Sequence, residues 1–599
     1  RFIHVAPRSP VQAYVPPVQD IRFLLETFDY NGHVAAMPAY ADFDLDTSMS
    51  LVEAYSAFCA EELLPLNGSA DREGVRYNPA DHSVTTPKGF REAFLGFREN
   101  GFTSVAYPQE FGGMGAPFCL QTLASEVLIA CNKSFSMCTG LTGGLIDALE
   151  AHATEEQKHH YLPKFISGEW AGTMCLTEPH CGTDLGLLTT KAEPFGDHFK
   201  LTGTKIWITF GEHDLTDNIV HFVLARLPDA PPGIKGISTF LVPKFLEDGS
   251  RNPVFCGGTD HKMGIHASPT CVINLEGAEG WLVGEPHRGM KSMFTMMNGA
   301  RLNVGIEGVA LGEAAYQNAL AFAKDRRQSR SMNPKRNEKG QAADNILVHP
   351  DVRRMLMTVK STTEALRGLV AWIGINYDVM HKSTDAAAQQ KAEDLVALFT
   401  PIIKSYGSER GFFNVSEAMQ VMGGAGFTQD WPVEQYLRDV RIAMIYEGTN
   451  HIQALDLVGR KLPMHGGRLM QTFAGEVTAL IRASADQPEM APFVTALKAE
   501  SKRLTETTMA LGGVAMQDPE TLGAVANAYL AQFALVTLAY VWAKQVQAVL
   551  PRDAADPLRR SKLQLARFYF EVVLPETTVH AARVAAGKGS MMDADVDLF

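Results

Sequence analysis

At 599 residues the chain exceeds what one hydrophobic core supports, and its length corresponds to roughly three or four domains of about 150 residues. Hydrophobic residues at 46% and charged residues at 20% exclude extended disorder and a fibrous architecture. The formal net charge of −13 opposes nucleic acid and acidic membranes, whose binding is driven by Lys and Arg, so no nucleic-acid partner is expected.

In chain order, residues 1–47 are set aside as an N-terminal extension; the opening RFIHVAPRS lacks the apolar core of a secretory signal. From 48 to 169 the apolar spacing is helical, as in Leu51-Ala54-Tyr55-Phe58 and Tyr161-Leu162-Phe165, and Thr154-x-x-Gln157 predicts a capping box with a helix starting near Glu155. Residues 170–288 change pattern, with alternating runs at 198–210, 219–227, 236–245 and 270–283. Turn formers such as Pro231-Pro232-Gly233 separate these runs, which predicts antiparallel strands without helical crossovers. Helical spacing resumes near Gly289 and runs to 462. Its one interruption is the polar stretch 326–345, predicted to be an exposed loop.

Residues 463–599 read as an added helical domain. Between Lys461 and Phe599 there are 14 Lys plus Arg and 14 Asp plus Glu, so this tail has no basic bias. Its most apolar stretch, 528–543, is 16 residues long and includes Gln532, whereas a membrane span needs about 20 apolar residues; a buried helix and no transmembrane segment are predicted. The eight cysteines (59, 119, 131, 138, 175, 181, 256 and 271) form no C-x-x-C pair, which excludes a disulfide framework and a zinc ribbon, predicts no metal site and fits a reducing compartment. The fold class expected is multidomain α+β: a helical domain, an antiparallel β domain, a helical bundle and a C-terminal helical domain.

Three separated segments carry chemistry. The first is Met174-Cys175-Leu176-Thr177-Glu178-Pro179-His180-Cys181-Gly182-Thr183-Asp184, an irregular loop offering a threonine and exposed amides to a ligand. The second, Lys205-Ile206-Trp207-Ile208-Thr209, lies on a predicted strand whose period of two puts Trp207 and Thr209 on one face, where an indole can cover a planar ring. The third runs from Gln420-Val421-Met422-Gly423-Gly424-Ala425-Gly426-Phe427 through Arg438-Asp439 to Ile445-Tyr446-Glu447-Gly448-Thr449-Asn450. Each alone fits an ordinary turn, core strand or helix cap; their joint order and spacing do not.

Together these segments resemble the acyl-CoA dehydrogenase family over residues 80–460. The resemblance implies FAD as cofactor and α,β-dehydrogenation of an acyl-CoA thioester, with electron transfer flavoprotein as acceptor. It implies Glu447 as the base that removes the α proton while the β carbon gives hydride to flavin N5, and the Glu447 amide as part of an oxyanion site. Free glutamate, with a pKa of about 4.3, is a weak base for this, and burial beside an apolar acyl chain would raise it. Cofactor contacts implied are Met174, Leu176, Thr177, Trp207, Ile208, Thr209, Arg326, Gln420, Gly423, Gly424, Thr449 and His451; substrate contacts implied are Thr183, Arg301, Tyr446 and Gly448. Some relatives carry the base immediately before the arginine of the segment Met296-Met297-Asn298-Gly299-Ala300-Arg301; position 300 here is alanine and takes no proton.

Two features depart from the common family pattern. His451 stands where many relatives have glutamine, and the polar stretch after Arg327 is longer. With the C-terminal extension, these resemble a longer subgroup that includes 3-methylmercaptopropionyl-CoA dehydrogenases and bacterial fatty acyl-CoA dehydrogenases, which implies a bacterial, cytoplasmic protein. The added domain is expected to occupy part of the surface used for tetramer formation, giving a homodimer. Acyl-CoA oxidase and a nucleic-acid-associated flavoprotein remain the alternatives. A medium or long straight acyl chain is expected, a sulfur-containing propionyl thioester being the other reading. The acyl pocket is expected around residues 134–145, where Phe135, Met137 and Leu141 line a cavity or simply pack a core.

Overall fold

The computed structural model describes residues 12–599; the opening residues of the expected extension lie outside the described residues. The chain forms two compact units. One contains the segment up to Glu53, Phe118–Ala130 and Val304–Phe599; the other contains Ala54–Pro117 and Cys131–Asn303. This division cuts across the linear one read from the sequence, because Phe118–Ala130 belongs with the later helices rather than with its neighbours in 48–169.

Among the described residues, the unit containing 131–303 holds all the strands. A short hairpin pairs β1 (Arg76–Asn78) with β2 (Ser83–Thr85). The large sheet comprises β3 (Trp170–Cys175), β4 (Lys191–Phe195), β5 (His198–Thr209), β6 (Asn218–Arg226), β7 (Ile237–Pro243), β8 (Val254–Thr259) and β9 (Thr270–Val283), in the order β3-β6-β4-β5-β9-β7 with β8 on β9. Because β6 also pairs with β7, the strands β6, β4, β5, β9 and β7 close into a ring. Closure explains a burial pattern that alternation does not: β7 is buried at every position and β6 at all but its last, polar residues such as His221 and Thr239 included.

The four runs predicted to be antiparallel pair so, β5 with β9, β6 with β7 and β7 with β9. The sheet nevertheless contains a parallel pair, since β3 runs alongside β6 from Trp170↔Asn218 to Cys175↔Val223. The crossover that makes this possible is the β4–β5 hairpin rather than a helix, which is why a search for helical crossovers misses it.

Two helices cover the sheet within this unit. Lys133–His152 buries Leu145, Ile146 and Leu149 in one cluster with Val220, Phe222 and Leu241 of the sheet. Glu155–Ile166 starts at the predicted capping box: Gln157 N donates to Thr154 Oγ1 at 3.2 Å and Thr154 N donates to Gln157 Oε1 at 3.1 Å. Phe135 is fully buried against the edges of Phe90 and Phe97, and Leu141 belongs to the same cluster as Leu145, so both are core residues.

The other unit is helical. Trp372 on helix Pro350–Lys382 packs against Phe399 of Ala386–Ile402 and Tyr540 of Pro519–Val549, and Phe473 of Arg468–Ala483 stacks on Phe533. The C-terminal segment therefore shares a core with the bundle. Pro519–Val549 is long and apolar enough by composition to cross a membrane, yet 67% of its apolar window is buried in protein, with Trp542 Nε1 donating to Ser361 O at 3.0 Å.

The stretch 326–345 is a loop with a single 3-10 turn, Pro334–Arg336, folded around buried Asp344, which accepts from the backbone amides of Ser331 and Glu338. All eight cysteines are buried free thiols.

Candidate active site

In the strand-bearing unit, the loop that follows β3 is anchored by a buried ion pair. Glu178 (2% exposed) accepts from Lys205 Nζ at 2.8 Å, from the Thr189 and Thr190 amides at 2.7 and 3.0 Å, and from both threonine hydroxyls. Lys205 is fully buried and also donates to Leu176 O at 3.0 Å, while Ile206 N donates to Thr177 O at 2.9 Å. The backbone of Leu176 and Thr177 is thus tied to the strand that bears Trp207.

Against the upward push of burial, the Lys205 ammonium and the hydrogen bonds from Thr190 and Thr189 hold the Glu178 carboxyl at about 2. A carboxyl whose folded pKa is depressed from 4.5 stabilises the fold above the unfolded value and loses that contribution as pH falls through the folded one. The size is about 3 kcal/mol. The stability difference between wild type and Glu178→Gln in denaturant titrations is therefore expected to be full at pH 6 and to shrink steadily between about pH 4.5 and pH 2; a difference that stays constant over that window contradicts this.

Strand β5 is irregular where the motif lies. Its register against β9 shifts between Lys205 and Ile208, and Trp207 has φ +58°, a left-handed conformation rarely taken by a bulky residue. The bulge leaves the Trp207 indole 62% exposed, with Thr209 half-buried and Ile208 turned into the sheet core at 2%. Any ligand contact by Ile208 is through its backbone. Met174, Leu176 and Thr177 are half-buried and Thr183 is exposed. Arg301 is 6% exposed on helix Gly289–Asp325. Nearby on the facing helix, Asp147 Oδ2 lies 3.3 Å from where a Cβ on Gly299 would stand, and burial with Glu150 pushes its carboxyl up to about 7.

The helical unit carries the remaining predicted residues. Helix Ser408–Met422 ends at Gly423, whose φ of +58° suits glycine, and Gly426 has no room for a side chain, since a Cβ would meet Met419 O at 2.9 Å. Gln420, Gly423 and Gly424 are exposed. Arg326 is exposed at the start of the polar loop.

Glu447 and Gly448 have φ of +57° and +80°, and Tyr446, Glu447, Gly448 and Thr449 are half-buried. A non-glycine residue in this region costs of order 1 kcal/mol or more and persists only where its surroundings impose it. Three supports are visible. Tyr446 Oη donates to both Glu307 carboxylate oxygens at 2.6 Å, Thr449 Oγ1 caps helix Asn450–Asp456 by accepting from Ile452 N, and Gln453 Nε2 donates to Glu447 O at 3.2 Å. Burial and the facing Glu307 carboxylate push the Tyr446 hydroxyl well above its usual range, so it stays protonated and donating. His451 is exposed, and its Nδ1 shares a 2.9 Å hydrogen bond with Asn527 Oδ1 on helix Pro519–Val549.

Comparison with known proteins gives this arrangement a family. Residues 46–169 match the acyl-CoA dehydrogenase N-terminal domain, 173–278 the middle domain, 287–462 the C-terminal domain and 473–595 the acetyl-CoA dehydrogenase C-terminal-like domain. The chain is 37% identical to the 3-methylmercaptopropionyl-CoA dehydrogenase of Ruegeria pomeroyi, over 97% of this chain and 100% of that protein. It is 32% identical to a broad-specificity linear acyl-CoA dehydrogenase of Mycobacterium tuberculosis, over 94% and 95%. The structure of an acyl-CoA dehydrogenase from Bacillus anthracis complexed with FAD shares the fold at a TM-score of 0.73 and 21% identity, over 92% of this chain and 89% of that one.

The chain belongs to the acyl-CoA dehydrogenase family. It is a flavoprotein oxidoreductase whose cofactor is FAD. The residues present fit that group: an exposed indole on a strained bulge and solvent-facing glycine backbone at 423 and 424 are surfaces a planar ring and a dinucleotide can use.

Proposed function

We propose that the chain is an acyl-CoA dehydrogenase acting on straight acyl chains, with Glu447 as the base, electron transfer flavoprotein as acceptor and a homodimer as the working cytoplasmic form. The observation that carries the reading is the strained turn at Glu447, held in place by the Tyr446–Glu307 bond, the Gln453 bond to Glu447 O and the Thr449 cap. Glu447 takes the α proton of the thioester, and Arg301, Thr183, Tyr446 and Gly448 position the substrate. FAD, when bound, would supply the acceptor for the hydride that leaves the β carbon. Trp207 would cover its ring, Met174, Leu176, Thr177, Ile208 and Thr209 would meet it with side chain or backbone, and Arg326, Gln420, Gly423, Gly424, Thr449 and His451 would hold the rest of the dinucleotide.

A second substrate reading is favoured by the relative matched along its whole length, which acts on 3-methylmercaptopropionyl-CoA. A thioether sulfur replaces a methylene with little change in shape, so a channel for linear chains also admits that acyl group. Steady-state rates for propionyl, 3-methylmercaptopropionyl, butyryl, octanoyl and palmitoyl thioesters decide between them. The straight-chain reading expects the highest kcat/KM at octanoyl or longer; a maximum at 3-methylmercaptopropionyl selects the second reading. Rapid hydrogen peroxide formation without the flavoprotein acceptor would instead make the chain an oxidase.

Trp207 also yields a separable expectation. Its side chain is exposed, so Trp207→Ala should alter stability by no more than about 0.5 kcal/mol. FAD retention should fall roughly tenfold from the lost ring contact. Equal retention in both proteins by equilibrium dialysis removes Trp207 from the cofactor site.

A further inference from the structure

The half-turn from Tyr446 to Asn450 has a further support that the reaction as described does not use. Lys404 lies on the π-helical turn Ile403–Gly407 and is fully buried. Its ammonium donates to Gly448 O at 2.6 Å and to Asn450 Oδ1 at 3.0 Å. Asn450 is locked in turn, accepting from Ser408 Oγ at 3.1 Å and donating through Nδ2 to Ser405 O at 3.1 Å. The backbone that carries Lys404 has little freedom, because Gly305 and Gly308 let helix Gly289–Asp325 lie directly on it. A Cβ at Gly305 would stand 2.6 Å from Ile403 O, and one at Gly308 only 2.0 Å from Gly407 O.

From these contacts we propose that Lys404 is a positioning residue for the base, fixing the left-handed turn that carries Glu447. The inference rests on the reading of Glu447 as the base. In a trans peptide the carbonyl and the following N–H point in opposite directions. Gln453 holds the carbonyl of Glu447 and Lys404 holds that of Gly448, so the Gly448 amide points away from Gln453 and the Thr449 amide away from Lys404. Two consecutive residues of positive φ would otherwise relax toward ordinary backbone, carrying the Glu447 side chain with them. A buried cation is suited to this task, since a charge-assisted bond to a carbonyl is shorter and about twice as strong as a neutral one. The requirement is geometric, and a displacement of about 1 Å at a proton-transfer group costs on the order of 100-fold in rate.

The test is exchange of the α hydrogen of a 3-thia-acyl-CoA for solvent deuterium in the FAD-loaded enzyme, followed by mass spectrometry, a readout that needs the base and no net oxidation. Lys404→Met is expected to slow exchange by roughly 10- to 100-fold, with thioester Kd and FAD content within about threefold of wild type by the same reasoning. Lys404→Arg, which keeps a donor and the charge, should recover part of the loss. Asn450→Ala, which removes one acceptor of the ammonium, should give a smaller loss in the same direction and carries the test if Lys404→Met does not fold. Exchange within twofold of wild type in Lys404→Met, or in Asn450→Ala where that variant carries the test, while Glu447→Gln is inactive, overturns the role of Lys404 and leaves the base in place. Wild-type exchange in Glu447→Gln overturns the base itself.

Discussion

Glu447→Gln is expected to lower kcat by roughly 100- to 10,000-fold, the range for removing a positioned general base. Glutamine keeps the shape and hydrogen-bonding capacity of the side chain but cannot take a proton. FAD content, thioester Kd and unfolding midpoint should stay close to wild type, because the substitution preserves the shape of the side chain and leaves in place the bonds that hold the turn through its backbone, Tyr446, Thr449 and Asn450. No other carboxylate on the turn can substitute, and position 300, which holds the base in some relatives, is alanine. A variant retaining a tenth or more of wild-type kcat would move the base elsewhere, with Asp147 beside Gly299 the first place to look.

The second large effect concerns stability. Arg367 is 1% exposed and donates to Glu126 at 2.6 Å, to Glu313 at 2.8 Å and to Asp20 at 2.7 Å. Lys562, from the C-terminal segment, joins the cluster through Asp20 at 2.5 Å and Glu364 at 2.7 Å. Helices Val18–Thr27, Phe118–Cys131, Gly289–Asp325, Pro350–Lys382 and Pro557–Phe568 all contribute to it, which binds the N-terminal and C-terminal segments into one body.

Arg367→Met would leave Glu126 and Glu313 facing each other without their shared cation. The expected cost is about 3–5 kcal/mol, the range for breaking a buried ion pair from one side. Burial already pushes the Glu126 carboxyl up, so part of this loss should return when Glu126→Gln is added. Denaturant titration of the single and double variants checks both statements, and a loss below about 1 kcal/mol for the single variant contradicts the assignment of a central role to Arg367.

Much of this was legible in the sequence because it rests on local signals. The Thr154–Gln157 box, the long helix from Gly289, the polar loop after 325 and the buried helix around 528–543 each follow from periodicity, capping or polarity over a short window. What escaped depends on contacts between distant segments. The parallel pairing of β3 with β6 is invisible to a reading of neighbouring turns, and the ring closure through β6 and β7 removes the alternation that marks a half-buried strand.

In the site, the motifs supplied the residues proposed to face ligands and missed those that hold them. Glu178 has no ligand role in the first motif, yet it pairs with Lys205 and anchors the loop. Lys404, Gln453 and Glu307 escaped because their partners are backbone carbonyls or lie more than a hundred residues away. A signal was present for two of them. Lys205 directly precedes the apolar Ile206-Trp207-Ile208 and Lys404 follows Pro401-Ile402-Ile403; a lysine buried beside such a run must find acceptors.

Anaerobic mixing of the FAD-loaded protein with an excess of octanoyl or palmitoyl thioester, followed at the visible absorption band of the oxidised flavin, tests the central claim most directly. Rapid loss of absorbance in wild type, with none on the same timescale in Glu447→Gln, is the result predicted. An FAD-loaded wild-type protein that no acyl thioester of the panel bleaches would contradict it.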